Sequence, residues 1–135
     1  MRERILDYVR QYGGVSFAEL QVELGKEAEG DLMFCYENRP NWVLWAGCSE
    51  EFVVTIDGLF KERLLTASPT SFLTYLCDGR VLELPIVKGN YKYKTPHWVP
   101  VALNANPPPS REERFRLMRK ALADERQRYH TEGDA

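Results

Sequence analysis

Apolar positions organise the first half of the chain. Ile5, Val9 and Tyr12 recur at helical spacing, Leu6 widens their stripe, and Asp7 and Arg10 fall opposite, which predicts a helix from Arg2 to Tyr12. Gly13-Gly14 ends it, because glycine enters left-handed cap conformations without a Cβ clash. Ser16 and Glu19 stand at capping-box spacing, with Val15 and Leu20 at the staple positions. A second helix therefore runs from Phe17 to about Leu24, with Phe17, Leu20 and Leu24 inward, and stops at Gly25. Ser49 caps a third helix reaching about Arg63, with Glu50 and Glu51 well placed against the positive end of the helix dipole. Phe52, Ile56, Leu59 and Phe60 are its inward stripe. Gly58 inside it costs about 1 kcal/mol against alanine, and close approach of another helix is the reason the pattern suggests.

Between the second and third helices the pattern is irregular. Lys26 to Gly30 reads as a polar loop, Asp31 to Tyr36 is open between a helical turn and a strand, and Glu37-Asn38-Arg39-Pro40-Asn41 carries turn chemistry. Trp42-Val43-Leu44-Trp45 is a short strand closed by Gly47, expected to pair with a hairpin further on. That hairpin is predicted at Asp78-Gly79, a strong two-residue turn signal. It would oppose Cys77 to Arg80, Tyr75 to Leu82 and Leu73 to Leu84 on one face, and Leu76 to Val81 on the other. Residues 88–94 then alternate lysine with tyrosine, and Thr95 to Leu103 looks extended. Pro107-Pro108-Pro109 stiffens a linker over residues 104–110. A second capping box, Ser110 with Glu113, opens an amphipathic C-terminal helix over residues 111–129, with Phe115, Met118, Leu122 and Tyr129 on one face. Residues 130–135 are expected to be a disordered tail.

A helix, a capped second helix, a third helix and a hairpin, in that order, resemble the winged helix-turn-helix superfamily. The expected fold class is α+β: a winged-helix-like domain over residues 1–103 (three helices plus a small antiparallel sheet or hairpin) with an insertion at 26–48. The extended segment closes that domain, and the C-terminal helix follows the linker. The resemblance implies DNA contact through helix three and the wing. Two features depart from that pattern. One is the insertion; the other is the outward face of helix three, which offers Glu50, Glu51, Asp57 and Glu62 where base-reading helices offer arginine, lysine, asparagine or glutamine.

Composition bounds the remaining classes. With 44% apolar and 28% charged residues, a chain of 135 residues can build one unstapled core. No apolar run approaches the roughly 20 residues of a membrane span, and Met1 to Ile5 starts an amphipathic helix rather than a signal peptide. Three cysteines, with no CxxC pair, argue for reduced thiols and a cytoplasmic location and against a disulfide framework or a zinc site. The net charge of −2 is the sum of −6 over residues 1–62 (6 basic, 12 acidic) and +4 over the other 73 (12 basic, 8 acidic). A polyanion would meet the second half.

Catalytic chemistry is sparse. His97 and His130 are the only histidines, neither has a nucleophile or carboxylate fixed beside it by spacing, and no phosphate loop or nucleophile elbow occurs. The expectation is a non-enzymatic protein with no cofactor and no metal. Two binding readings stand side by side. The first is a DNA-binding protein of the transcription-regulator type. It would contact duplex DNA through Arg80, Lys88, Tyr91, Lys92, Tyr93, Lys94, His97 and Trp98, and through Arg116, Arg119 and Lys120 of the last helix. No acidic residue occurs from Leu84 to Ser110. The second is a protein-interaction module using Trp42, Glu50, Glu51 and Asp57, with the C-terminal helix available for a partner or a homodimer. An edge strand guarded by lysines would also account for residues 88–94.

Overall fold

Local signals place the first elements. The computed structural model describes residues 1–133, with side chains through residue 126. Helix α1 (Arg2–Tyr12) buries Ile5 and Val9, while Tyr12 turns outward. Strand β1 (Val15–Ser16) leads into α2 (Phe17–Leu24), where Ser16 Oγ accepts from the Glu19 amide at 3.0 Å. Only half of the capping box forms: the Glu19 carboxylate instead accepts from Tyr8 Oη at 2.9 Å. After a 3-10 turn (Gly25–Ala28) come β2 (Glu29–Tyr36) and β3 (Arg39–Cys48), then α3 (Glu50–Lys61), whose Ser49 cap accepts from the Phe52 amide at 3.1 Å. The chain continues through β4 (Leu65–Pro69), α4 (Phe72–Cys77), β5 (His97–Trp98), β6 (Val101–Ala105) and α5 (Arg111–Gly133).

The described residues thus form an α+β fold with five α-helices and two three-stranded sheets, ordered β1-β6-β4 and β2-β3-β5. In the first sheet β6 pairs antiparallel with both neighbours, Val15 opposite Leu103 and Leu65 opposite Ala105. In the second, β2 and β3 form an antiparallel hairpin and β5 joins β3 in parallel. The segment expected as an insertion is that hairpin. It turns at Glu37-Asn38, with Asn38 at φ 65, a conformation asparagine tolerates better than most residues. Its partner is β5, not a hairpin at Asp78-Gly79.

No hairpin exists at Asp78-Gly79. Residues Phe72–Cys77 are helix α4, and the glycine caps it. The Gly79 amide donates to Leu76 O and the Arg80 amide to Tyr75 O, both at 3.1 Å, with Gly79 at φ 85. These are the paired bonds of a Schellman cap. A glycine able to turn left-handed serves a hairpin corner and a helix end equally well. Tertiary burial decided between them. Tyr75 is fully buried, donates from its hydroxyl to Val101 O at 2.6 Å and accepts from the Phe17 amide at 3.2 Å. The pairings expected for Tyr75, Leu73 and Leu76 across a hairpin are accordingly absent.

One core joins these layers. Phe17 meets Phe34 and Phe52 at centroid distances of 6.0 and 6.2 Å, and Phe34 stacks on Phe60 at 6.0 Å, tying α2, the β2–β3 hairpin and α3 together. Phe52, Ile56 and Leu59 are buried as expected. A second group, Trp45, Tyr75 and Trp98, packs with centroids 5.0–6.1 Å apart. Each such ring buries about 150–250 Å². Gln21, fully buried on α2, ties this group together. Its amide donates to Ala28 O and Gly47 O, and its oxygen accepts from Trp45 Nε1 (2.8 Å) and Arg80 Nη1 (2.7 Å).

Helix α5 lies against α1, held by Arg10, which donates to Glu113 Oε1 through Nη2 at 2.6 Å and Nε at 3.2 Å. Arg10 lowers the carboxyl pKa of Glu113 below the usual range, chiefly through that hydrogen bond. The stripe Phe115, Met118 and Leu122, expected on one face, is half-exposed. The expected face position of Tyr129 lies outside the described side chains. Strand β6 claims Asn104 and Ala105 from the expected linker, and α5 continues to Gly133, into the expected tail; Asp134 and Ala135 lie outside the described residues. No helix among the described residues is long and apolar enough to cross a membrane.

Candidate functional site

Side chains alternate across a strand, and β3 and β5 put aromatic rings on both sides of the second sheet. Val43 pairs with Trp98 in register, and both are buried. The adjacent pair, Trp42 with His97, faces the other way and is half-buried. Trp98, expected among the nucleic-acid contacts, is only 1% exposed and belongs to the core. His97 lies at the surface.

The segment preceding β5 covers this outer side. Trp98 donates its amide to Pro85 O at 2.8 Å, and Val87 donates to Trp98 O at 2.9 Å, so residues 85–87 run beside β5. Two side chains of β3 then hold the lysine–tyrosine stretch by its backbone. Asn41 Nδ2 donates to Tyr93 O at 2.7 Å, and Trp42 Nε1 donates to Tyr91 O at 3.0 Å. The Tyr93 hydroxyl accepts from the Lys88 amide at 3.0 Å, closing the loop on itself. The stretch is ordered by these bonds rather than by a strand ladder, so it is not an edge strand.

The result is a row of rings. Tyr36 and Trp42 lie 6.0 Å apart, Trp42 and Tyr93 6.4 Å, Tyr91 and Tyr93 6.0 Å, and His97 stacks on Tyr93 at 3.8 Å and 21°. His97 Nδ1 donates to Thr95 O at 2.8 Å, since a carbonyl only accepts. Arg39 places its guanidinium 4.3 Å above the Trp42 ring, a cation–π contact. Its Nη1 has no hydrogen-bond partner among the described residues. Lys88, Lys92 and Lys94 are exposed, and none forms an ion pair among the described residues.

Tyr36 and Arg39 join the site without having been expected there. They oppose each other across the two-residue turn Glu37-Asn38, and recognising that turn as the hairpin corner would have placed both beside Trp42. Trp42, expected on an acidic partner face, belongs to this aromatic row instead. Glu50 and Glu51 remain exposed on α3 with Val54, while Asp57 is held by Lys61 at 2.8 Å and Glu62 pairs with Arg2. Arg80 is committed elsewhere: its guanidinium bonds Gln21 and lies 5.5 Å from the Trp45 ring. Arg116, Arg119 and Lys120 are exposed on α5, whose packing partner is α1.

No cluster of three or more potential metal ligands occurs among the described residues. Burial pushes the Cys48 thiol up to about 11 and also raises that of Cys35, which keeps both in the poorly nucleophilic thiol form at neutral pH. Cys77 is exposed. No family model, curated protein or solved structure matches this chain.

Proposed function

We propose that the protein is a non-enzymatic, winged-helix DNA-binding protein of the transcription-regulator type, whose contact surface is the basic–aromatic face of the second sheet rather than α3. The winged-helix reading draws support from α1, α2 and α3 in order, with a small antiparallel sheet closing on them. The observation that carries the functional reading is the row of Tyr36, Trp42, Tyr91, Tyr93 and His97 with Arg39 over Trp42, joined by the exposed Lys88, Lys92 and Lys94 on a run from Leu84 to Ser110 that holds no carboxylate. Cations neutralise phosphates, and exposed rings stack on bases. Glu50 and Glu51 on α3 would repel the same ligand.

A labelled DNA duplex carrying a single-stranded overhang tests this reading. Binding should weaken steeply between about 50 and 200 mM salt and should be lost in Lys88→Glu/Lys92→Glu/Lys94→Glu. Absence of binding at the lowest salt would overturn it. A second reading, a protein-interaction module on α3, draws on Val54, which is exposed one turn from Glu50 and Glu51. Its test is capture of a partner from host lysate that Glu50→Lys/Glu51→Lys abolishes.

A further inference from the structure

We infer that the basic–aromatic face takes an unpaired strand of nucleic acid in preference to a duplex. This rests on the reading that the face binds nucleic acid at all. The geometry of the rings carries it. Tyr91 is 64% exposed, Tyr36 is nearly half-exposed, and Trp42 is partly so. Their planes are inclined to one another by 47–80° along the row from Tyr36 through Trp42 and Tyr93 to Tyr91. Only Tyr93 and His97 stack face to face. Along the rest of the row the rings meet edge-on or tilted; Arg39 covers a face of Trp42, while Tyr36 and Tyr91 at the two ends keep much of their surface open.

A duplex cannot use those faces. Its bases are covered above and below by their neighbours and offer a protein only groove edges and phosphates. An unpaired strand exposes base faces, and every base has one, so stacking tolerates any sequence. The backbone contacts also fit a strand lying over the row. Lys92 and Lys94 flank Tyr93 in the chain and are exposed, so their cations are free to meet the backbone phosphates of a strand. Arg39 adds a further cation beside the row, over the Trp42 ring. The fold holds this surface ready: side chains of Asn41 and Trp42 fix Tyr93 and Tyr91 by their carbonyls.

The experiment compares a labelled oligo-dT and oligo-rU with a blunt DNA duplex of the same length, at one low salt concentration. The expected result is binding of both single strands at least about tenfold tighter than the duplex, with Tyr91→Ala weakening the single-strand complex about tenfold. Tyr91→Phe should restore the affinity, because the ring and not its hydroxyl stacks. Trp42 gives an internal signal: the other two tryptophans, Trp45 and Trp98, are buried, so strand binding should quench the emission of Trp42 and leave a Trp42→Phe variant unquenched. Thermal melting of Tyr91→Ala, expected to match the parent protein, separates lost stacking from lost fold. A duplex bound as tightly as the strands, with both complexes abolished by the triple lysine-to-glutamate variant, overturns the single-strand preference and leaves the nucleic-acid reading intact. Binding of none of the three probes overturns both.

Discussion

The two sides of the second sheet carry the same residue types and use them in opposite ways. On the inner side Trp45, Tyr75 and Trp98 pack together, and Gln21 satisfies the Trp45 indole and the Arg80 guanidinium. On the outer side Trp42, Tyr93 and His97 meet at comparable distances but keep part of their surface in water, with Arg39 over the first ring. His97 and Trp98 are neighbours in the chain and fall on different sides through strand alternation alone. The inner cluster is a structural device, since its rings have no free face. The outer one orders the 88–94 stretch through its polar atoms, and its rings stay partly in water.

Truncation should separate the clusters most sharply. Trp98→Ala or Trp45→Ala is expected to cost about 3–5 kcal/mol, the usual penalty for emptying a core aromatic site, measured by urea unfolding. Trp42→Ala should cost about 1 kcal/mol or less, in keeping with a half-exposed side chain. Equal losses at the two tryptophans would erase the distinction. Gln21→Leu comes next, at about 3 kcal/mol, because it strands the Trp45 N–H and two backbone carbonyls in the core and frees Arg80. A loss near zero would mean that water replaces the amide.

The inner cluster also has a pH signature. Burial raises the Tyr75 phenol to about 12, from an ordinary value near 10. The fold therefore keeps its proton over a range in which the unfolded chain releases it. The contribution is complete below about pH 10 and is lost as pH rises toward 12, at up to about 1.4 kcal/mol per pH unit. Unfolding free energies at pH 9 and 11 should fall further for the parent than for Tyr75→Phe. The smallest effect lies on α3, which neither cluster uses. A Cβ at Gly58 meets nothing within 4 Å, so the close helix approach suggested by the sequence is absent. Gly58→Ala should stabilise by about 0.5–1 kcal/mol, read as a higher melting temperature.

Helices α1, α2, α3 and α5 were legible because their signals are local, whereas α4 read as a strand. Ser16, Ser49 and Ser110 each accept from the amide three residues on, as their spacing predicts, and Ile5, Val9, Phe52 and Ile56 face inward by period alone. The sheets were not. The turn signal at Asp78-Gly79 outranked the one at Glu37-Asn38, yet the first caps a helix and the second makes the hairpin. The candidate site was half legible: lysine and tyrosine alternate visibly over residues 88–94, but nothing nearby in sequence announces Arg39, Tyr36 or Trp42 as their companions.

The amino-acid order by itself determined where three helices start, where glycine can reverse the chain, and that its cations without carboxylates fall between Leu84 and Ser110. Those properties depend on a residue and its neighbours within one turn. Tertiary structure alone decided that Tyr75 is buried, and so that Gly79 ends a helix; that β5 joins β3, and so that Trp98 is core while His97 is surface; and that Trp42 meets Tyr91. Such contacts join residues some 26 to 55 positions apart, and a local pattern holds no information about which distant surface will cover it.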